Sequence, residues 1–499
     1  MVKLEFNDKV DNNTIKLKKN KMDPFQILDV YQSININSLN DFNWKNLLIW
    51  GENKSIMNSL LTQFENQISL IVIDPPFATG GDFNLKIQIG EDGKAFNITS
   101  YSDKWKDGLS SYLNFLKERI VLMKKLLKSN GSIYIHLDWH SSHHVKLMMD
   151  EIFGSSNFLN DLIWAYPAAS AKTRRFFIRS YDNILFYSKS DDYVFNDDTN
   201  IYMEYSNRVK NALKKDEQGV FYYRGGSHDG KKLSRKVYVK KKGIFPRDVW
   251  NDIPYIRANT NEYQGFSTQK PERLLKRIIL ASTNENDIVA DFFCGSGTTL
   301  AVSEKLGRRW IGSDINMQAI HISRKRILNI NFSNDLLNWK KKYGKKPLAF
   351  QILGLQTEKE DWQKKVKLIL HNHLKETTHL KESHQIQDPP ELRVKIHQNN
   401  NIVKIELVDY INTYSRIISE DLEKKISSFS DWIDYWAIDY EFRDQKFNNN
   451  WISFRTPKMR KIKLISDHYL YGKAGTYHLC VKVIDIFGIE THKSVEIII

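Results

Sequence analysis

Cysteine is nearly absent: Cys294 and Cys480 are the only two in 499 residues. That excludes a disulfide-stapled scaffold, agrees with a reducing compartment, and leaves no cysteine at a metal-ligand spacing. No apolar run approaches about 20 residues, so no helical membrane span is expected. The first residues are polar and Lys-rich without an apolar core segment, so no secretory signal is read and a cytoplasmic protein is expected. Acidic residues are in deficit, 59 against 74 Lys and Arg, a net charge of +15. Such an excess points to a polyanionic partner. The length exceeds what one core ordinarily supports, so two or three domains are expected.

Against these absences stands one stretch of dense information, Ser69-Leu70-Ile71-Val72-Ile73-Asp74-Pro75-Pro76-Phe77. Its unbroken, mostly β-branched apolar run reads as a strand buried on both faces, as in a parallel sheet. It ends in a carboxylate, two prolines and an aromatic ring. Each proline fixes its own φ and biases the preceding residue towards extended backbone. The result is a stiff lip at the carboxyl end of a strand, where open α/β sheets bind ligands. An exocyclic amine on a nucleobase is a poor nucleophile, because its lone pair is delocalised into the ring. Asp74 and the Pro75 carbonyl can accept its two hydrogens and turn the lone pair towards an electrophile, while Phe77 offers a stacking face.

In chain order, residues 1–44 show weak periodicity and read as an N-terminal arm, followed by a short strand at 47–50 and a helix near 54–66. Residues 78–104, glycine-bearing, read as a mobile loop over the lip. Leu109, Leu113, Leu116, Ile120, Met123 and Leu127 mark one face of an amphipathic helix, with Gly131 as its cap. A strand at 132–136 and a helix at 145–153 continue the βαβ rhythm. His136, His140, His143 and His144 straddle that strand end and helix start; with only Asp138 as an anionic neighbour, no metal is expected. From 165 to 260 the rhythm breaks, apart from a strand at 182–188. This segment carries about half of the chain's excess positive charge, in runs that include Lys231, Lys232, Arg235, Lys236, Lys240, Lys241 and Lys242. It is the expected phosphate footprint.

The α/β pattern returns at Lys270-Pro271, with Pro271 opening a helix. A strand at 287–291 runs into Phe292-Phe293-Cys294-Gly295-Ser296-Gly297-Thr298-Thr299, and the next strand ends at Asp314. Glycines allow a tight turn and close ligand approach, and an acid about twenty residues on commonly binds a ribose diol. No Gly-Lys-Ser/Thr follows, so this is not a polyphosphate loop. A nucleoside-type ligand is expected.

The order of these motifs, lip first and glycine loop more than two hundred residues later with a basic segment between, resembles the β group of amino-specific DNA methyltransferases. The resemblance covers roughly residues 45–330 and is nearest to adenine-methylating modification enzymes of bacterial restriction systems. It implies a seven-stranded, circularly permuted, Rossmann-like α/β fold. It also implies a catalytic role for Asp74, Pro75, Pro76 and Phe77. S-adenosyl-L-methionine would be held by Asp291, Phe293, Gly295, Gly297, Thr298 and Asp314 with Lys270 and Pro271. The basic insert, about 165–262, would recognise double-stranded DNA, with a restriction or defence subunit on another chain and oligomers both compatible. Asp rather than Ser at position 74 leans to adenine N6. Phe77 stands where Tyr is more usual, keeping the stacking face and losing a hydroxyl. Cytosine-N4 methylation, and a catalytically silent DNA-binding subunit, are the alternatives. Beyond 335 the resemblance ends: 336–391 reads as a basic helical linker, and 392–499 as a β-rich, immunoglobulin- or PKD-like domain, with Tyr477, Leu479, Val481 and Val483 alternating on one face.

Overall fold

The computed structural model describes residues 24–32, 44–166, 175, 177–228, 231–239, 243–355, 390–413, 420–443 and 446–499. The first half alternates β1 (Phe25–Tyr31), β2 (Asn46–Trp50), α1 (Asn53–Phe64), β3 (Ile68–Ile73), β4 (Asp82–Ile89), β5 (Lys94–Ser102), α2 (Leu109–Leu126), β6 (Leu127–Leu137), α3 (Ser142–Phe153), β7 (Phe158–Ala165) and β8 (Tyr181–Ser188). A small unit follows, α4 (Asn207–Asn211), β9 (Lys214–Asp216), β10 (Gly219–His228) and β11 (Lys231–Tyr238), and then β12 (Val249–Trp250), which pairs parallel with β7 at an edge of the large sheet. The chain then returns through α5 (Glu272–Ser282), β13 (Ile288–Asp291), α6 (Thr298–Lys305), β14 (Arg309–Asp314), α7 (Met317–Leu328) and β15 (Phe350–Leu355).

Seven strands in the order β7-β8-β6-β3-β13-β14-β2 form the centre of one large sheet, all parallel except β8. β3 lies in the middle and is buried along its whole length. Its side chains alternate between two helical layers. Ile71 and Ile73 pack with Ile56, Leu116 and Met149 of α1, α2 and α3; Leu70 and Val72 pack with Leu275, Ile278 and Val302 of α5 and α6. This two-sided burial explains the unbroken apolar run. β3 and β13, far apart in the chain, are adjacent and parallel, with Ala290 opposite Ile71. Both therefore deliver their carboxyl ends to the same edge, and the permuted order expected from the motifs is the order found.

Several expected boundaries move. β1, inside the expected N-terminal arm, pairs antiparallel with β15, which lies inside the expected linker. β15 itself pairs parallel with β2, so both belong to the large sheet. Leu353 and Leu355 are buried in its core, and that burial outweighs the surrounding basic residues. Residues 336–349 form turns and extended backbone instead of a helix, and the remainder of the expected linker, 356–389, lies outside the described residues. Gly131 does not cap α2. It sits within β6, where an added Cβ would meet the carbonyl oxygens of Ile68 and Ser69 at 3.0 and 3.1 Å, so glycine serves strand proximity.

The C-terminal region contains β16 (Glu391–Asn399), β17 (Ile402–Ile411), β18 (Ile433–Asp439), β19 (Phe447–Asn448), β20 (Trp451–Phe454), β21 (Tyr469–Leu470), β22 (Thr476–Asp485) and β23 (Glu490–Ile498). Two sheets, β16-β17-β21 and β20-β18-β22-β23, enclose one apolar core, and β19 joins the edge of the large sheet beside β1. The expected loop over the lip is instead a β4–β5 hairpin, because Leu85, Ile87 and Ile89 alternate on one face and need cover. That cover is the C-terminal core, where they pack with Trp432, Trp436 and Phe487. Buried polar and ionic pairs tie α7 and β1 to the same region: Asp434 accepts from His321 at 2.8 Å and from Lys325, and Asp29 pairs with Arg324 at 3.2 Å and with Lys482.

Candidate active site

The end of β3 and the loop after β13 line one cavity of about 350 Å³. Its wall includes Asp74, Pro75, Pro76 and Phe77 on one side and Asp291, Phe293, Gly295, Thr298 and Asp314 on the other, with Lys270 between them. Gly297 and Pro271 stand just behind this wall. Gly297 precedes α6 at φ +71°, where an added Cβ would lie 2.6 Å from the Ser323 hydroxyl, so only glycine closes this turn. Pro271 precedes α5.

The lip is held rigidly. Asp103, fully buried, accepts from the Ala78 amide at 3.0 Å, the Thr79 amide at 2.7 Å and the Trp105 indole at 2.9 Å. These bonds stabilise Ala78 at φ +60°, a conformation unfavourable for a residue with a Cβ. Asp74 is engaged at both oxygens, by His136 Nδ1 at 2.7 Å and by the Lys270 ammonium at 2.6 Å. Burial pushes its carboxyl up, but the charges of Lys270 and His136 outweigh burial and hold it below the usual carboxylate value. Phe77 meets the His136 ring edge-on at 5.4 Å, with the Lys270 ammonium 5.5 Å from its own centroid. Lys270, expected among the cofactor residues, thus spends its charge on Asp74.

The glycine loop is tied from behind. Asp314 accepts from the Gly295 and Asn316 amides, both at 2.9 Å. Asp291 accepts from the Phe293 amide at 3.0 Å and the Thr299 hydroxyl at 2.6 Å. Arg326 of α7 donates to the Thr298 hydroxyl at 2.8 Å, to the Ser296 carbonyl at 3.1 Å and to buried Glu272 at 2.9 Å, locking the loop to α5. Burial raises Asp291 to about 7 and Asp314 to about 6. Four carboxylates therefore line the cavity: Asp74 is paired with Lys270 and Glu52 with Arg119, whereas Asp291 and Asp314 are held by amide and hydroxyl donors. Such a site fits a ligand that carries positive charge and hydroxyl donors.

Arg326, His136 and Asp182 carry no motif. An Arg inside an amphipathic helix and a His at a strand end are unremarkable until the fold brings them to the loop and the lip. His140, His143 and His144 lie on or beside α3, where His140 bonds Asp138 at 2.5 Å and its ring lies 3.8 Å from that of Trp139 at a 32° tilt.

Of the expected DNA contacts, Arg235 and Lys236 lie exposed on β11 of the small sheet, and Lys236 pairs with Asp216 at 2.9 Å. Lys231 and Lys232 lie on the same strand, while Lys240, Lys241 and Lys242 fall outside the described residues. The sequence pattern gave no hint that Arg224 stands directly opposite Arg235 across the β10–β11 pair.

A permuted α/β sheet with an Asp-Pro-Pro-Phe lip and a glycine loop sharing one cavity defines a nucleoside-cofactor methyltransferase site. Comparison carries this to a family: residues 68–325 match the DNA methylase model for N6- and N4-methyltransferases, and the chain belongs to that family. It is 31% identical over 261 residues to the DNA adenine methyltransferase YhdJ of Escherichia coli K12, covering 52% of this chain and 76% of that one. It is 28% identical over 324 residues to the type II methyltransferase M.EcaI of Enterobacter cloacae, covering 56% and 69% respectively. A probable type III restriction-modification Mod subunit, HindVI of Haemophilus influenzae, is 26% identical over 54% of this chain and 48% of its own. Among the described residues no helix is long and apolar enough to cross a membrane.

Proposed function

We propose that this chain methylates the N6 amine of adenine in double-stranded DNA, with S-adenosyl-L-methionine as donor, within a restriction-modification or defence system. The observation that carries the reading is the single cavity shared by the lip and the glycine loop. The donor supplies a methyl carbon made electrophilic by an adjacent sulfonium. Gly295 leaves room for close approach, Gly297 lets the loop turn against Ser323, Asp314 accepts from a ribose diol, and the Asp291 and Asp314 carboxylates favour a cation.

The chain's own residues then orient the acceptor. Extruding the adenine costs a few kcal/mol, and Phe77 returns part of that by stacking. Asp74 and the Pro75 carbonyl accept the two amine hydrogens. Each Asp74 oxygen already accepts one bond and retains a second lone pair for the base. Holding the amine nitrogen in line with the methyl carbon supplies most of the acceleration, through proximity and prearranged electrostatics. Arg224, Arg235 and the lysines of the small sheet hold the phosphate backbone. A restriction subunit on another chain belongs to the same proposal, in keeping with the Mod-subunit relative.

The test is to incubate unmethylated genomic DNA with the protein and S-adenosylmethionine, digest it to nucleosides and separate them. N6-methyl-2′-deoxyadenosine is the expected product; N4-methyl-2′-deoxycytidine, or no methylated nucleoside, overturns the assignment. Asp74→Ala should abolish transfer and leave cofactor affinity within a few-fold.

A further inference from the structure

Behind the catalytic lip runs a chain of four polar side chains. His136 bonds Asp74 Oδ1 through Nδ1 at 2.7 Å and Asp182 Oδ2 through Nε2 at 3.1 Å. The Tyr166 hydroxyl donates to Asp182 Oδ1 at 3.1 Å. The imidazole is buried, 4% exposed, between Phe77 on one side and Trp164 at 5.8 Å. Both ring nitrogens face carboxylate oxygens, so the ring is fixed in plane and cannot flip without losing both partners. Asp182 lies at the start of β8 and Tyr166 directly follows β7. They bracket the chain segment that opens the basic insert.

We propose that His136 is a positioning residue for methyl transfer, orienting the Asp74 carboxylate, and that Asp182 with Tyr166 sets the orientation of His136. The proposal rests on the reading of Asp74 as the acceptor of the amine hydrogens. Its physical content is directional. The His136–Asp74 bond must matter for turnover, and the His136–Asp182 bond matters only through it. Misplacing a reacting group by about 1 Å costs on the order of 100-fold.

Two substitutions separate the two bonds. In H136N the side-chain amide nitrogen takes the place of Nδ1 and keeps the bond to Asp74. In H136Q it takes the place of Nε2 and keeps only the bond to Asp182. Single-turnover methyl transfer to unmethylated genomic DNA should fall about 100-fold in H136Q and about tenfold or less in H136N. S-adenosylmethionine affinity, DNA affinity and melting temperature should stay close to the parent in both. A purely structural role predicts the reverse order, because glutamine is nearer histidine in size. Equal rates, or a faster H136Q, overturn the proposal.

Should either variant fail to fold, the pair D182A and D182N decides. Asparagine keeps an acceptor for Nε2, so D182A should lose about tenfold or more in rate and D182N far less. Equal loss overturns the proposal. If Asp74→Ala itself retains turnover, the underlying reading of the lip fails; if it does not and the His136 order is reversed, the relay alone fails.

Discussion

Asp291→Asn separates what this site costs from what it does. In the folded protein burial raises Asp291 to about 7, with the negative charges of Asp74 and Asp314 adding to the effect, against an ordinary 3.8. Its neighbours suit an amide as well as an acid. The Phe293 amide donates to one oxygen, and the Thr299 hydroxyl that donates to the other can rotate to accept from an amide NH2. The sign follows from linkage. A carboxyl raised in the folded state favours folding below the unfolded value near 3.8, and that contribution is lost as pH rises through 7. At pH 8 the ionised wild type therefore carries a penalty of about 4 kcal/mol, from roughly three pKa units at 1.36 kcal/mol each. At pH 5 the folded group is protonated and the penalty is about 2 kcal/mol. The variant should gain unfolding free energy over the wild type at both pH values, by about 2–3 kcal/mol more at pH 8. The assay is urea unfolding followed by tryptophan fluorescence at both pH values. Isothermal titration with S-adenosylmethionine should show weakened binding in the variant, and a flatter decline in affinity from pH 8 to pH 5. A stability difference that does not change with pH would refute the argument that Asp291 is held at an ionisation cost for a cationic ligand.

Gly297→Ala should lower S-adenosylmethionine affinity at least tenfold, because the new Cβ strikes Ser323, whose hydroxyl holds the Gly295 carbonyl at 3.0 Å; unchanged calorimetric binding would contradict this. Arg224 and Arg235 oppose each other on adjacent strands, exposed and without an acidic partner among the described residues, an arrangement that is unfavourable until an anion binds. Changing both to glutamine should reduce the slope of log affinity for DNA against log salt by up to about 2, as measured by fluorescence anisotropy; an unchanged slope removes the small sheet from the DNA footprint. Leu85→Ala should cost about 2–5 kcal/mol in unfolding free energy, and should lower turnover because Phe83 on the same strand lines the active cavity; full turnover would show the hairpin to be dispensable to the site.

The local stretches that were legible before the structure share one property: their constraint lies within a few residues. The Ile68–Ile73 run announces two-sided burial, the prolines after Asp74 announce a lip, and Gly295 with Gly297 announces a turn against a ligand. What escaped is set by partners far along the chain. β15 reads as part of a basic linker because its neighbours are lysines, yet Phe350 stacks on Tyr31, more than three hundred residues earlier, at 4.3 Å. The hairpin of β4 and β5 reads as a mobile loop because the surface that buries Leu85, Ile87 and Ile89 arrives from beyond residue 400. His136 reads as one of several polar residues lining a loop and a helix start, and only the pairing of β3, β6 and β8 reveals its carboxylate partners on both sides.

The same long-range packing changes the meaning of the C-terminal region. A tail that merely followed the catalytic domain would touch its edge. Here the sandwich holds two walls of the active cavity at once. Its core buries the hairpin that presents Phe83 and Ser102 to the cavity, and its charged face grips α7 through Asp434 with His321 and Lys325. α7 contributes Ala319 to the cavity and Arg326 to the glycine loop. Removing one partner of such a buried pair costs about 3–5 kcal/mol. Asp434→Ala, more than a hundred residues beyond Asp314, should therefore weaken S-adenosylmethionine binding as well as stability. A variant that is destabilised yet binds the cofactor with unchanged affinity would show that the sandwich supports the fold without reaching the site.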